Sequence, residues 1–158
     1  MTTLPLRHHP VRVLFVFIVA VVVTAVVGSL FSISAGDEYL ALRRPGWAPP
    51  AWLFGLVWTV LYAMIAASGW LAWRNGASRA ELTVFGVQLV LNAAWTPLFF
   101  GLGWYGVAFA EIVLLWLAIV AVVVVFWWRS RAAALLLAPY LAWVSFAAAL
   151  NVSIAVLN

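Results

Sequence analysis

The 158-residue chain has no cysteine and no lysine, and only four of its residues are acidic. The missing thiol excludes disulfides, thiolate nucleophiles and Cys-ligated metals, and it leaves the redox compartment open. Scarcity of charge constrains more. With 8% of residues charged, 68% hydrophobic and a mean hydropathy of +1.17, the chain has too little polar surface to cover a water-soluble globule. The formal charge of +4 comes from eight arginines, which in a soluble protein would suggest nucleic acid. Here they fall between apolar runs, where they orient a chain in a bilayer and meet lipid headgroups, so no nucleic-acid partner is expected. Metal-ligand spacing, phosphate loops, nucleophile elbows and paired catalytic carboxylates are all missing. His8 and His9 sit in a polar N-terminal tail and read as solvated, so no metal site is expected.

What is present is apolar length. Five runs, 11–31, 51–73, 80–102, 105–128 and 132–157, each approach the ~20 residues that cross a ~30 Å hydrocarbon core. The fold class is therefore all-α, an integral membrane bundle of five transmembrane helices in a single domain. Arg7 and Arg12 ahead of an apolar segment, and small residues around Ser34, also suit a signal peptide. The run is longer than the ~7–15 residues of a signal h-region, which favours a span. Short connections at 74–79, 101–104 and 130–131 make consecutive helices antiparallel neighbours. The exception is the long loop 32–50, which holds Asp37, Glu38, Arg43, Arg44 and three prolines. Loops of that length in a compact domain are lids or disordered segments.

Six of the eight arginines (Arg7, Arg12, Arg74, Arg79, Arg129 and Arg131) fall on one side of this topology. The positive-inside rule makes that side, and the N-terminus, cytoplasmic if the membrane is a bacterial cell membrane. The long loop and the C-terminus then face the other compartment.

Aromatic and polar residues carry the functional signal. Eleven tryptophans are present; Trp47, Trp52 and Trp58, followed by Tyr62, straddle the Pro49-Pro50 break where the charged loop becomes apolar. Such rings suit a membrane interface or the wall of a pocket for a flat ligand. In the third run Gln88, Asn92 and Trp95 stand at i, i+4 and i+7 on one helical face, either lining a cavity or hydrogen-bonding neighbouring helices. The second run puts Gly55, Trp58, Tyr62 and Ala66 on one face, and the fifth puts Trp143, Ala147 and Asn151 on another. Glu111, the one acid well inside a run, is a neutral or paired carboxyl that fixes helix register, or a group for proton or substrate handling.

The segments L-A-L-R-R-P-G-W-A-P-P-A-W-L-F-G-L-V-W-T-V-L-Y-A-M, Q-L-V-L-N-A-A-W-T-P-L-F-F and P-Y-L-A-W-V-S-F-A-A-A-L-N resemble the tryptophan-rich sensory protein / translocator protein family. These proteins are also called peripheral-type benzodiazepine receptors, and the likeness runs over 39–151. The resemblance implies a five-helix bundle, commonly a homodimer, with a pocket under the loop between the first two helices. It requires no cofactor. Its implied ligands are porphyrins and haem-related tetrapyrroles, sterols in animal members, and isoquinoline carboxamides and benzodiazepines. By motif position, Trp58 and Asn92 are the implied polar contacts, Trp143 and Ala147 the far wall, and Trp47 and Pro49 part of the closure. Tyr62, Trp95 and Gln88 add walls and donors, while Arg43 and Arg44 can neutralise propionates at the rim.

Two departures bear on activity. Glu38 stands where the family often has Trp, which weakens the case for light-driven porphyrin degradation by Trp58 and Trp143. Val152 stands at the aromatic position of a proposed cholesterol motif, and no basic residue follows it. The functional expectation is a receptor or transporter for tetrapyrroles and similar apolar ligands, in contact with membrane lipid. The alternatives are a porphyrin-degrading enzyme and a membrane assembly partner.

Overall fold

A computed structural model describes residues 9–31 and 35–158; Arg7, His8, Ser32 and Ser34 lie outside the described residues. The elements are α1 (Pro10–Leu30), α2 (Ala35–Ala41), α3 (Ala51–Arg74), α4 (Arg79–Thr96) running into a π-helical turn (Pro97–Gly101), α5 (Tyr105–Trp127), α6 (Arg131–Leu136) and α7 (Ala138–Leu157). There is no strand among the described residues. Five stretches, with α4 plus its π turn and α6 plus α7 each counted once, are long and apolar enough to cross a membrane. The chain is an integral, multi-pass membrane protein. Its outer surface agrees: Val90 is 70% exposed, Val11 77% and Val156 81%, an apolar skin that only lipid covers at low cost.

Local signals set the helix ends. Pro10 occupies the first turn of α1, where its missing N–H costs nothing. α3 starts after Pro50 and closes on a Schellman turn. There Gly76 takes φ +83°, and the N–H groups of Ala77 and Gly76 donate to Ala72 O and Trp73 O at 3.0 Å each. α4 opens on a capping box: Ser78 Oγ accepts from Glu81 N at 3.3 Å, and Glu81 Oε2 accepts from Ser78 N at 2.6 Å. Arg129 closes on the same carboxylate at 2.9 Å and ties the α5–α6 turn to the start of α4. Pro97 has no N–H to continue the α4 ladder, and the chain passes into the wider π turn, with Leu102 N donating to Pro97 O at 3.0 Å.

Around the bundle, α1 lies against α3 and α4, α4 against α5, α5 against α6 and α7, and α3 against α6. α1 meets its neighbours at Gly69, where an added Cβ would lie 2.7 Å from the Phe17 ring and 2.8 Å from Phe85. Phe17 and Phe85 contact edge to face at 5.7 Å over that gap.

Two features depart from the five-run reading. The stretch read as a loop contains α2, whose Tyr39 is buried. The fifth span is broken at Leu137, because Pro139 in the first turn of α7 cannot donate to the preceding turn. The break decides the shape of the bundle. α6 packs on α3, with Ser68 Oγ donating to Ala133 O at 2.7 Å, whereas α7 leans onto α5 and barely touches α3.

Because the chain has no cysteine, single cysteines report topology cleanly. Ala80→Cys and Ala132→Cys should react with a membrane-impermeant maleimide from one side of sealed vesicles, and Gly36→Cys from the other. Labelling of all three from one side would contradict the helix order.

Candidate functional site

Where α7 leaves α3, the bundle holds a cavity of about 410 Å³. Five helices and α2 line it. α1 supplies small residues, including Ala25 and Gly28; α3 supplies Phe54, Trp58 and Tyr62; α4 supplies Asn92, Trp95 and Thr96; α5 supplies Ile112 and Leu115; α7 supplies Trp143, Val144 and Ala147. Phe100 of the π turn and Tyr39 of α2 complete the wall. The wall is mostly apolar with a few convergent polar groups, the character of a small-molecule site.

A chain of hydrogen bonds organises the polar side. Tyr62 Oη donates to Asn92 Oδ1 at 2.9 Å, Asn92 Nδ2 donates to Tyr140 Oη at 2.8 Å, and Tyr140 Oη donates to Gln88 Oε1 at 3.0 Å. The helical face predicted from Gln88, Asn92 and Trp95 thus points inward, and its three residues do different work. Gln88 is 1% exposed and lies outside the cavity wall, so it serves helix packing, with Nε2 buried and unpartnered. Asn92 serves both purposes, since its amide is held from both sides and still borders the cavity. Trp95 Nε1 donates to Asn151 Oδ1 at 3.1 Å, and Asn151 Nδ2 donates to Tyr105 O at 2.9 Å, which locks α4, α7 and α5 together.

Trp58 is placed differently. Its ring is tilted against Tyr62 at 5.2 Å and meets Tyr140 edge-on at 6.1 Å. No described residue accepts a hydrogen bond from its indole N–H, and the residue lines the cavity. The Trp143 ring contacts Phe54 at 5.7 Å and Phe146 at 5.3 Å, and its Nε1 is buried without a partner.

Arg43, Arg44, Trp47 and Pro49 stand outside the cavity wall and support its roof. Tyr39 Oη donates to Pro49 O at 2.8 Å, and the Arg44 guanidinium sits 4.6 Å over the Tyr39 ring. Burial pushes the Tyr39 phenol above its ordinary pKa, opposed by Arg44. Trp47 is half exposed and packs edge to face on Phe146 at 5.6 Å. Arg43 is pinned through its backbone: its N–H donates to Asn158 Oδ1 and its carbonyl accepts from Asn158 Nδ2, each at 3.0 Å. Of the predicted site residues, then, Trp58, Tyr62, Asn92, Trp95, Trp143 and Ala147 share the cavity. Trp47, Pro49, Gln88, Arg43 and Arg44 stand around it.

Tyr140, at the centre of the polar chain, is absent from the sequence prediction. The signal was available, since Tyr140, Trp143 and Ala147 fall at i, i+3 and i+7 on one face. Glu111 is 7% exposed with neither oxygen hydrogen-bonded, so it lacks the partner that a register-fixing pair requires. No cluster of metal-ligating residues occurs among the described residues.

The fold and site together define a five-helix membrane bundle built around a roofed, mostly apolar cavity. Residues 15–157 match the TspO/MBR family, and the chain belongs to it. It is 37% identical over 147 residues to protein CrtK of Rhodobacter capsulatus, covering 90% of this chain and 91% of that one. It is 40% identical over 145 residues to the tryptophan-rich protein TspO of Archaeoglobus fulgidus, with 89% and 94% covered. It is 37% identical over 131 residues to the translocator protein of Homo sapiens, with 79% and 78% covered.

Tyr140→Phe removes the one hydroxyl that both accepts from Asn92 and donates to Gln88. It should lower stability in detergent or bilayer by about 1–2 kcal/mol, read as a lower thermal midpoint. An unchanged midpoint would mean that the polar chain does not hold α3, α4 and α7 together.

Proposed function

We propose that this protein is a membrane receptor that binds flat apolar ligands, tetrapyrroles such as protoporphyrin IX and isoquinoline carboxamides, inside the five-helix bundle. The observation that carries the reading is the unpartnered Trp58 indole N–H on the wall of an otherwise aromatic cavity, beside an Asn92 amide already oriented by Tyr62 and Tyr140. The amide has a spare N–H and the indole a free one, so a ligand carbonyl or pyrrole nitrogen meets preorganised donors without breaking the chain. The volume lies within the ~300–1,000 Å³ typical of ligand sites.

A tetrapyrrole also brings two propionates. These point to the α2 end, where Arg43 and Arg44 supply cations, and away from the middle of the spans, where the described residues include no arginine. The arginine-bearing turns at the other end face the cytoplasm under the positive-inside rule. A relative's name, translocator protein, agrees with uptake of a ligand at such a site.

Titration of the purified protein with protoporphyrin IX in the dark should give saturable quenching of tryptophan emission. Trp58→Phe keeps a ring but loses the N–H, and should weaken binding by about 5- to 30-fold, the worth of one hydrogen bond of roughly 1–2 kcal/mol. Equal affinity in the variant would mean that the Trp58 N–H makes no contact with the ligand. Loss of the Soret band under light, faster than for free porphyrin and with one discrete product, would instead make the protein a degrading enzyme. Absence of saturable binding would leave an assembly role.

Arg43→Gln combined with Arg44→Gln should weaken protoporphyrin IX and leave a neutral isoquinoline carboxamide nearly unaffected, with the difference shrinking at high salt. Equal losses for both ligands would assign the two arginines to roof structure alone.

A further inference from the structure

The interior cavity lies on one side of Trp143. On the outer side of the same indole, a groove runs along the α3–α7 seam, lined by Leu56, Val60 and Met64 of α3 and by Pro139, Ala142 and Phe146 of α7. Trp143 borders both spaces. We propose that this seam is a lateral port between bilayer and cavity, with Trp143 as its panel and a lipid acyl chain as the occupant of the outer groove.

Four observations converge on it. The groove lies on two membrane-spanning stretches and its side chains are wholly apolar. From Leu56 to Met64 it extends about 12 Å along α3, at ~1.5 Å per residue. Leu56 and Val60 are 57% and 52% exposed, and at that depth hydrocarbon is the solvent that meets them. The seam is open for a covalent reason, since Pro139 breaks the fifth span, leaving α6 packed on α3 while α7 stands off it. Finally, the panel is weakly tethered. Trp143 Nε1 is buried with no acceptor, and the ring is held by edge-on or tilted contacts to Phe54 and Phe146. A buried N–H without a partner gives the closed position no hydrogen bond to lose on opening. Trp47 from the roof packs on the same Phe146, so roof and panel share one aromatic cluster.

This inference rests on the ligand-binding reading for its route and on the groove alone for its occupant, and the two are tested separately. In bilayer nanodiscs, Leu56→Cys with Ala142→Cys should be bridged by a short reducible bifunctional thiol reagent. Association and dissociation of a neutral isoquinoline carboxamide should then both slow about tenfold or more with affinity nearly unchanged, and recover on reduction, because closing a port alters rates without altering end states. Unaltered rates in the bridged protein would overturn the port. For the occupant, a phosphatidylcholine carrying a photoactivatable acyl chain should label the Leu56–Met64 segment in excess of Val90 and Leu117, which lie elsewhere on the lipid-facing surface. Uniform labelling, or a protein–protein adduct through this face, would overturn the acyl-chain groove. If the carboxamide fails to bind even the unbridged protein, the ligand-binding reading falls while the labelling still decides the groove.

Discussion

Three membrane-spanning segments are joined through one chain of side-chain hydrogen bonds. Tyr140 Oη accepts from Asn92 and donates to Gln88, and Asn92 in turn accepts from Tyr62. In lipid, burial of apolar side chains gives helices no reason to prefer each other over acyl chains, so close packing and interhelical hydrogen bonds decide the arrangement. The Tyr62–Asn92–Tyr140–Gln88 chain sets the rotation of α3, α4 and α7 at one level. With those rotations set, Trp58, Trp95 and Trp143 face a common interior. The cavity follows from where the polar chain puts the rings.

The second constraint is the break in the fifth span. A continuous helix over 131–157 would keep its backbone N–H groups donating along its whole length. Pro139 prevents that, and the chain packs first on α3 and then on α5. The space left over is the cavity, roofed by α2 through the Tyr39–Pro49 bond and held at its rim by the Arg43–Asn158 pair. Rigidity and access therefore sit on opposite sides of the same site. α4 and α5 are bonded through Trp95, Asn151 and Tyr105, while among the described residues no hydrogen bond runs directly between α3 and α7, which are linked only through Asn92 and meet in ring contacts such as Phe54–Trp143.

Much of this was legible in the residues. Length and hydropathy gave five helices, because a ~30 Å apolar slab demands ~20-residue runs, and helical spacing alone turned Asn92, Trp95, Trp143 and Ala147 inward. Helical spacing could not say which inward polar residue meets a ligand and which meets another helix. That depends on the level and rotation of partner helices, so Gln88 and Asn92 looked alike although one is sealed in packing and the other borders the cavity. Tyr140 was passed over because it lies beside a proline near the expected start of a span. The seven-residue α2 escaped notice within a charged, proline-bearing stretch whose composition reads as loop. Arg43 was singled out for its charge, yet the contact seen is made by its backbone, and no side-chain chemistry announces that.

The central claim is that the polar chain holds an aromatic cavity open for a flat ligand and leaves Trp58 with a free donor. Its most direct test is the indole N–H spectrum of protein labelled with ¹⁵N-tryptophan in nanodiscs, followed through a dark titration with protoporphyrin IX. The Trp58 resonance should shift saturably, with Trp95 and Trp143 responding to the ligand's ring, while lipid-facing Trp52 and Trp128 stay in place. Shifts of equal size at Trp52 and Trp128, or a Trp58 resonance that does not move at saturation, would contradict it.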